Sequence, residues 1–280
     1  MELDIAADKI GRVSQTSLVM AYARYRERER DNPLVDDPYA GLFLSAKAKA
    51  WLSKFHWPAG ATVRTWLIDR LLQAAMEKIQ PDLVVNLGCG LDCRAYRLDL
   101  PPNLRWWDVD FPEVMDFRKK ILESYSPACR WEGLAVDLRR AAVREQLVAR
   151  IGCEAERAVV FSEGMLVYMT TGQAAALSRE LAVCQSVRCW VSDVVSGFGC
   201  QLMAKRCEKY YGPLVKYRFA VDDPVTFFKD HGWPSISLHS LLAAGEEAGR
   251  SLEINWALYY YSERMKRLYD NMGGVVVLEK

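Results

Sequence analysis

Leu83-Val84-Val85-Asn86-Leu87-Gly88-Cys89-Gly90-Leu91-Asp92-Cys93-Arg94 is the stretch on which the fold turns. Leu83 to Leu87 is a short, mainly apolar run, the length of a buried strand rather than of a helix. It runs straight into a Gly-x-Gly turn. Glycine lets the backbone bend sharply and approach a ligand with no Cβ in the way. A loop at the carboxyl end of such a strand is where open α/β sheets bind their ligands. Gly-x-Gly alone also fits ordinary turns, so its surroundings decide. Cys93 stands where a dinucleotide fingerprint has its third glycine, which argues against a nicotinamide or flavin dinucleotide. No Tyr-x-x-x-Lys pair accompanies the loop, which also opposes an NAD-dependent oxidoreductase. About twenty residues on, Trp107-Asp108-Val109-Asp110-Phe111-Pro112 places acids at the end of the next strand-like run. A carboxylate there can accept from both ribose hydroxyls. Loop and acid together indicate an adenosine ligand without a pyrophosphate, of which S-adenosylmethionine is the common one.

Outward from this stretch, short apolar runs alternate with amphipathic segments. Strands are expected at Leu83 to Leu87, Leu104 to Val109, Arg130 to Val136, Ala158 to Phe161 and Cys189 to Val195, each read as buried. Helices are expected at Pro112 to Tyr125, Arg140 to Ile151 and Gly172 to Cys184. This alternation implies βαβ units, a parallel sheet and helices on both faces. Upstream, Thr16 to Arg30 and Arg64 to Ile79 read as helices, the first closing in a charge run, Arg24 to Arg30, taken as a solvated end before Asn32-Pro33. Ile236 to His239 and Val275 to Leu278 read as the last strands, and Trp256 to Tyr261 fits strand or helix equally. The expected layout is one domain over residues 1–280. It comprises a helical N-terminal cap (1–80), a nucleoside-binding sheet (81–195), a lid insertion (196–225, centred on Gly197 to Asp223) and C-terminal strands (226–280).

Two further acids sit at strand ends. Asp137 either accepts from an adenine amino group or caps the next helix. Glu163 faces the crevice and either holds an ammonium group or caps a helix. The chain carries 37 basic and 36 acidic residues, net +1, so no global field favours a nucleic acid or an anionic membrane. No run approaches the roughly 18–20 apolar residues of a membrane helix. The acidic start Met1-Glu2-Leu3-Asp4 lacks a signal-peptide layout, so a cytoplasmic location is the expectation. Eight cysteines without a CxxC pair and three scattered histidines point to free thiols and no metal site.

Five motifs then carry a likeness: Asp36-Asp37-Pro38-Tyr39-Ala40; Arg64-Thr65-Trp66-Leu67-Ile68-Asp69; Val85 through Leu98; Trp107 through Pro112; and Glu163-Gly164-Met165-Leu166-Val167-Tyr168. From about Val13 to Tyr168 the chain resembles the leucine carboxyl methyltransferase and polyketide carboxyl O-methyltransferase family. The resemblance implies a Rossmann-like class I methyltransferase fold: a seven-stranded, mostly parallel sheet with its last strand antiparallel and helices capping the N-terminal side. It implies S-adenosylmethionine as cofactor, with Arg64 pairing with the methionine carboxylate and Gly88 and Gly90 lining methionine and ribose. Asp110 would take the ribose hydroxyls, Asp137 and Leu138 the adenine, and Glu163 the amino group. Cys89 and Cys93 are small departures from the family pattern, and Asp108 stands where Glu is usual. The lysine of the leucine carboxyl enzymes has no counterpart around Gln15-Thr16-Ser17, so the small-molecule branch is closer.

The implied reaction is O-methylation of a small-molecule carboxylate, with a phenolic hydroxyl of an aromatic or polyketide metabolite as the alternative acceptor. A non-catalytic adenosyl-ligand binder is the reading outside enzymes. A carboxylate is anionic at neutral pH and needs no general base, whereas a phenol gains from one. His231 and Tyr168 are the weak catalytic candidates; His56, His239 and the run Tyr259 to Tyr261 are weaker, and Asp92 fits a helix cap as well as a cofactor contact.

Overall fold

The computed structural model describes residues 15–54, 59–211, 216–252, 259, 260 and 262–280. Seven strands form one sheet in the order β3-β2-β1-β4-β5-β7-β6. They are β1 (Leu83–Leu87), β2 (Arg105–Asp110), β3 (Arg130–Ala135), β4 (Ala158–Ser162), β5 (Val187–Val195), β6 (Ser235–Ser240) and β7 (Gly273–Glu279). β1 to β5 pair in parallel, and β7 runs antiparallel to both β5 and β6. The architecture is that of a class I methyltransferase sheet, and every strand expected from the sequence is present.

The central strands read as continuous apolar runs because both sheet faces are covered. Leu83, Val85 and Leu87 of β1 face one core with Leu147, Ile151, Leu177 and Leu181. These come from α6 (Ala141–Glu154) and α7 (Thr171–Val183). Val84 faces the opposite core with Val63, Ile68 and Leu72 of α3 (Gly60–Ile79). The outer strands differ. β3 was expected to be buried, but it is an edge strand with Arg130, Gly133 and Ala135 open to solvent and Glu132 half-buried. Its alternating charges suit an edge that must not pair with a second chain.

Local chemistry sets the ends of the helices. Thr170 and Gln173 close a reciprocal capping box at the start of α7. Pro112 occupies the first turn of α5 (Pro112–Leu122), where its missing N–H costs nothing. The N-terminal helix α1 (Gln15–Arg28) lies over Leu91, Cys93 and Leu122 in a third core cluster. Its charge run is not wholly solvated, which corrects the sequence reading. Arg24 and Glu27 are buried. Arg24 donates to Asp37 Oδ2 (2.8 Å) and to the Leu91 carbonyl (2.6 Å), while Glu27 accepts from the Leu34 N–H and from Arg250. Asp37 also accepts from the Tyr39 and Ala40 N–H groups, so the Asp-Asp-Pro-Tyr motif anchors α1 to the turn that follows it.

Shorter helices escape the periodicity argument. They include α2 (Ala46–Leu52), α4 (Arg94–Arg97), α9 (Pro224–Asp230), α10 (Leu241–Glu247) and a last helix at Glu263–Asp270. The expected lid segment contains α8 (Gly197–Tyr211), which leaves β5 directly. A Cβ at Gly199 would lie 1.9 Å from the Met272 carbonyl oxygen, so glycine is what lets α8 press against the entry to β7. Most of Trp256 to Tyr261, and His56, lie outside the described residues. Among the described residues no helix is long and apolar enough to cross a membrane, and no side-chain cluster is arranged to hold a metal.

Candidate active site

A cavity of about 640 Å³ opens at the carboxyl ends of β1, β2, β4 and β5. α1 contributes Thr16, Ser17, Val19 and Met20 to its wall, and α8 contributes Gly199, Leu202 and Met203. Arg64, Gly88, Gly90, Asp110, Leu138, Glu163 and Tyr168 all line it.

The floor is the glycine loop. Gly88 has φ +66°, and a Cβ there would lie 2.6 Å from Cγ of Met165. Its N–H donates to the Val109 carbonyl at 2.8 Å, tying the loop to β2. Gly88→Ala should therefore cost about 1–2 kcal/mol for the left-handed backbone alone. It should also push Met165 into the cavity and weaken nucleoside binding, measurable as a lower melting temperature together with a raised dissociation constant by calorimetry. Arg118 of α5 braces the loop from below. It is fully buried and donates to the Gly90 and Asp92 carbonyls and to Asp108 Oδ2.

Asp108 and Asp110 have different jobs. Each carboxylate oxygen offers about two lone pairs. Asp108 is buried and uses all of them: Oδ1 accepts from Asn86 and the Trp106 indole, Oδ2 from Arg118 and the Trp131 indole. Asp110 sits at the tip of β2 and, among the described residues, accepts only from the Gly90 N–H (Oδ2, 2.7 Å) and the Phe111 N–H (Oδ1, 2.7 Å). Two lone pairs remain, facing the cavity. Burial pushes its carboxyl above the ordinary value, against the pull of those two N–H groups. A group raised in the free protein and needed ionised by its ligand weakens binding as pH falls through its pKa. Adenosine affinity should thus decline on acidification, and Asp110→Asn should lower it at neutral pH and flatten the profile; fluorescence titration across pH reads both.

At the other end lies an ionic cluster. Arg64 of α3 donates through Nε to Glu163 Oε1 (3.2 Å) and through Nη1 to Asp193 Oδ2 (3.1 Å), while Nη2 meets only the Met20 sulfur (3.2 Å). Among the described residues its second terminal nitrogen therefore has no oxygen acceptor. Gly164 leaves room for it, since a Cβ there would lie 3.2 Å from Nη2. Glu163 also accepts from the Thr65 hydroxyl (2.7 Å) and forms an ion pair with Arg94 Nη2 (2.7 Å). Arg94 reaches Asp69 and Asp92 at 2.6 Å each, and Arg97 reaches Asp69 at 2.8 Å. Burial alone would raise the Glu163 carboxyl; Arg94 and Arg64 overcome it and hold it well below the ordinary range.

Residues 17–182 match the family model for leucine carboxyl methyltransferase. The chain belongs to the leucine carboxyl methyltransferase family. A Frankia alni protein named "Putative S-adenosyl-L-methionine-dependent methyltransferase" is 31% identical over 256 residues, covering 85% of this chain and 89% of that protein. A Mycobacterium marinum protein of the same name is 33% identical over 178 residues, 56% of each chain. Among solved structures, magnesium protoporphyrin IX methyltransferase from Synechocystis aligns at 13% identity and a TM-score of 0.47, covering 96% of this chain and 98% of that one.

The family pattern assigned Asp137 to adenine, and the structure points elsewhere. Asp137 is not among the cavity residues; its carboxylate is held by the Arg139 N–H, Nε and Nη2. Its neighbours Val136 and Leu138 do line the cavity, and Arg144 steadies the Leu138 carbonyl at 3.0 Å. His231 is likewise corrected. It sits at the end of α9 with Nδ1 2.6 Å from the Phe227 carbonyl and its ring packed on Phe227, away from the cavity lining. Tyr168 reaches the cavity, but its hydroxyl bonds Thr16 Oγ1 and its ring packs near Tyr217. Asp92 also lines the cavity, and its carboxylate accepts from the Arg94 N–H and guanidinium and from the Asn86 amide. Sequence reasoning missed Asp193, Arg94 and Arg118. Arg94 stands inside the central motif but carried no role there, Asp193 and Arg118 sit in no diagnostic pattern, and each acquires its role from partners on other elements.

Proposed function

We propose that this family member transfers a methyl group from S-adenosylmethionine to a carboxylate oxygen of a small organic acid. The observation that carries the cofactor reading is the pairing of two complementary ends in one cavity. Asp110 offers two unused lone pairs at one end, and the Arg64 Nη2 edge lies at the other, with Gly88 and Gly90 between. The residues fit the group: a diol-accepting carboxylate, a Cβ-free cradle, a carboxylate-binding guanidinium and a cavity within the ~300–1,000 Å³ of ordinary ligand sites. When bound, the cofactor supplies a methyl group on a sulfonium, which needs no acid to leave.

The protein's work is then placement and exclusion of water. Arg64 orients the amino-acid tail, Asp110 the ribose, and Phe111, Val114, Val136 and Leu138 provide apolar surface beside Asp110 for the base. Leu202 and Met203 of α8 cover the cavity. The acceptor side favours an anion. Lys216 and Arg218 line the cavity, and neither has an ion-pair partner among the described residues. The lining also includes Met169, Met203 and Met272, flexible sulfur side chains that suit a hydrophobic acid of adaptable shape. No described histidine lines the cavity, in keeping with an acceptor that arrives already ionised.

The test is incubation with methyl-labelled cofactor and a panel of aromatic and aliphatic acids beside matched phenols. Label that enters an acid and is released as methanol by mild alkali supports the ester product. Alkali-stable label on phenols would replace the carboxylate by a hydroxyl acceptor, and no transfer to any compound would favour a binder.

A further inference from the structure

We infer that the acceptor carries a second anionic group beside the carboxylate that is methylated, and that Lys216 and Arg218 hold it at the mouth of the cavity. The inference rests on the carboxylate reading above and deepens it. Among the described residues, five cationic side chains line the cavity: Arg24, Arg64, Arg139, Lys216 and Arg218. Three are occupied within the protein. Arg24 pairs with Asp37, Arg64 with Glu163 and Asp193, and Arg139 with Asp137. Lys216 and Arg218 have no such partner among the described residues. The acids that follow on the same stretch of chain are committed elsewhere: Asp222 accepts from the Gly197 N–H and Asp223 from the Thr226 N–H.

The two cations stand on an anchored backbone. The Arg218 N–H donates to the Val167 carbonyl (2.7 Å), in the turn after β4, and the Val221 N–H donates to the Val195 carbonyl (2.9 Å), at the end of β5. Between the cations the Tyr217 ring packs against Tyr168, with centroids 5.7 Å apart, and Phe219 is buried in the core. Lys216 and Arg218 are themselves exposed although they line the cavity, which places them at its rim. That is the wrong place for the reacting group. Methyl transfer needs a site closed to water and an attacking oxygen with a free lone pair, and an oxygen gripped by a guanidinium at the rim has neither. It is the right place for a second anion, which keeps part of its hydration there and so avoids the cost of full burial. A guanidinium and an ammonium two residues apart suit a carboxylate or a phosphate alike.

The experiment is calorimetry on protein saturated with S-adenosylhomocysteine, the demethylated cofactor, so that acceptor binding is read without turnover. The probes are one aromatic acid, terephthalate, and one aliphatic acid, sebacate. Each is used as the diacid, as its half methyl ester, and with a phosphate in place of one carboxylate. Each dianion is expected to bind about three- to tenfold more tightly than its half ester, the range for two solvent-exposed ion pairs, and the advantage should shrink as salt is added. Arg218→Gln and Lys216→Gln should each remove part of that advantage and the double variant most of it. A phosphate that binds more tightly than the second carboxylate assigns the group to phosphate, and the reverse order assigns it to carboxylate. Equal affinity of diacid and half ester in the wild type, or an advantage that survives in the double variant, overturns the inference and leaves the carboxylate reading standing. No binding by any of these acids to protein that does bind S-adenosylhomocysteine overturns both and leaves the cofactor reading in place. Methyl-labelled cofactor that labels none of the acids overturns the carboxylate reading whatever their affinities.

Discussion

Arg94→Met is expected to destabilise the protein by about 3–5 kcal/mol, the cost of removing one partner from a buried ion pair. Arg94 is fully buried and pairs with Asp69, Asp92 and Glu163 at once, with a further bond to the Thr65 carbonyl. It joins α3, β1's loop and β4's tip through a single guanidinium. Methionine fills much of the volume, so the loss is electrostatic rather than a cavity. The pH dependence separates this from a packing defect. In the wild type Asp92 and Glu163 are held below their ordinary values, Asp92 chiefly by Arg94 against its burial. A carboxyl depressed in the folded state contributes stability above its unfolded pKa and loses it as pH falls through the folded one. In the variant the same groups are buried without Arg94, so their protonation becomes less costly and the gap to wild type should narrow in acid. Urea melts at neutral and acidic pH measure it; a gap independent of pH would place the effect in packing.

Arg64→Ala is expected to raise the dissociation constant for S-adenosylhomocysteine at least about tenfold, the loss of a charge-assisted bond of roughly 1.5–3 kcal/mol. The effect has two sources. The Nη2 edge, free of oxygen acceptors, is lost to an incoming carboxylate. Glu163 and Asp193 also lose their shared countercharge and then repel that carboxylate. Arg64→Lys should recover only part of the affinity, since an ammonium keeps the charge but not the planar fork. Affinity for 5′-methylthioadenosine should stay near wild type in both. Equal weakening of that ligand would mean that Arg64 shapes the cavity rather than reading the tail.

Much of this molecule is legible along the chain. All seven strands lie where the sequence places them, and the central ones are the plainest, because a strand between two covered faces writes its burial into consecutive residues. The edge position of β3 was not legible, since strand order depends on which neighbours are already paired. The Arg24 to Arg30 run looked like a surface because charged side chains usually are. It took Asp37 and Arg250, brought in from other elements, to bury Arg24 and Glu27.

The candidate site divides in the same way. Asp108 and Asp110 are two apart on one strand and so share a face. Nothing local distinguishes them. Depth does: Asp108 lies within the ladder among four donors, while Asp110 ends it with lone pairs to spare. Asp193 reads as one acid in an apolar strand, and its cation stands 129 residues earlier. Asp137 shows the converse, a residue promising by position whose carboxylate Arg139, two places on, has already claimed.

By itself the sequence determined the sheet, the glycine turn after β1 and the presence of an acid beyond β2, because periodicity and turn chemistry act between near neighbours. Only the tertiary structure decided which acids are saturated and which face the cavity with capacity left. Hydrogen-bond saturation is a sum over partners from α3, α4, α5 and the strands β1 to β4 or their tips, and no stretch of chain contains that sum.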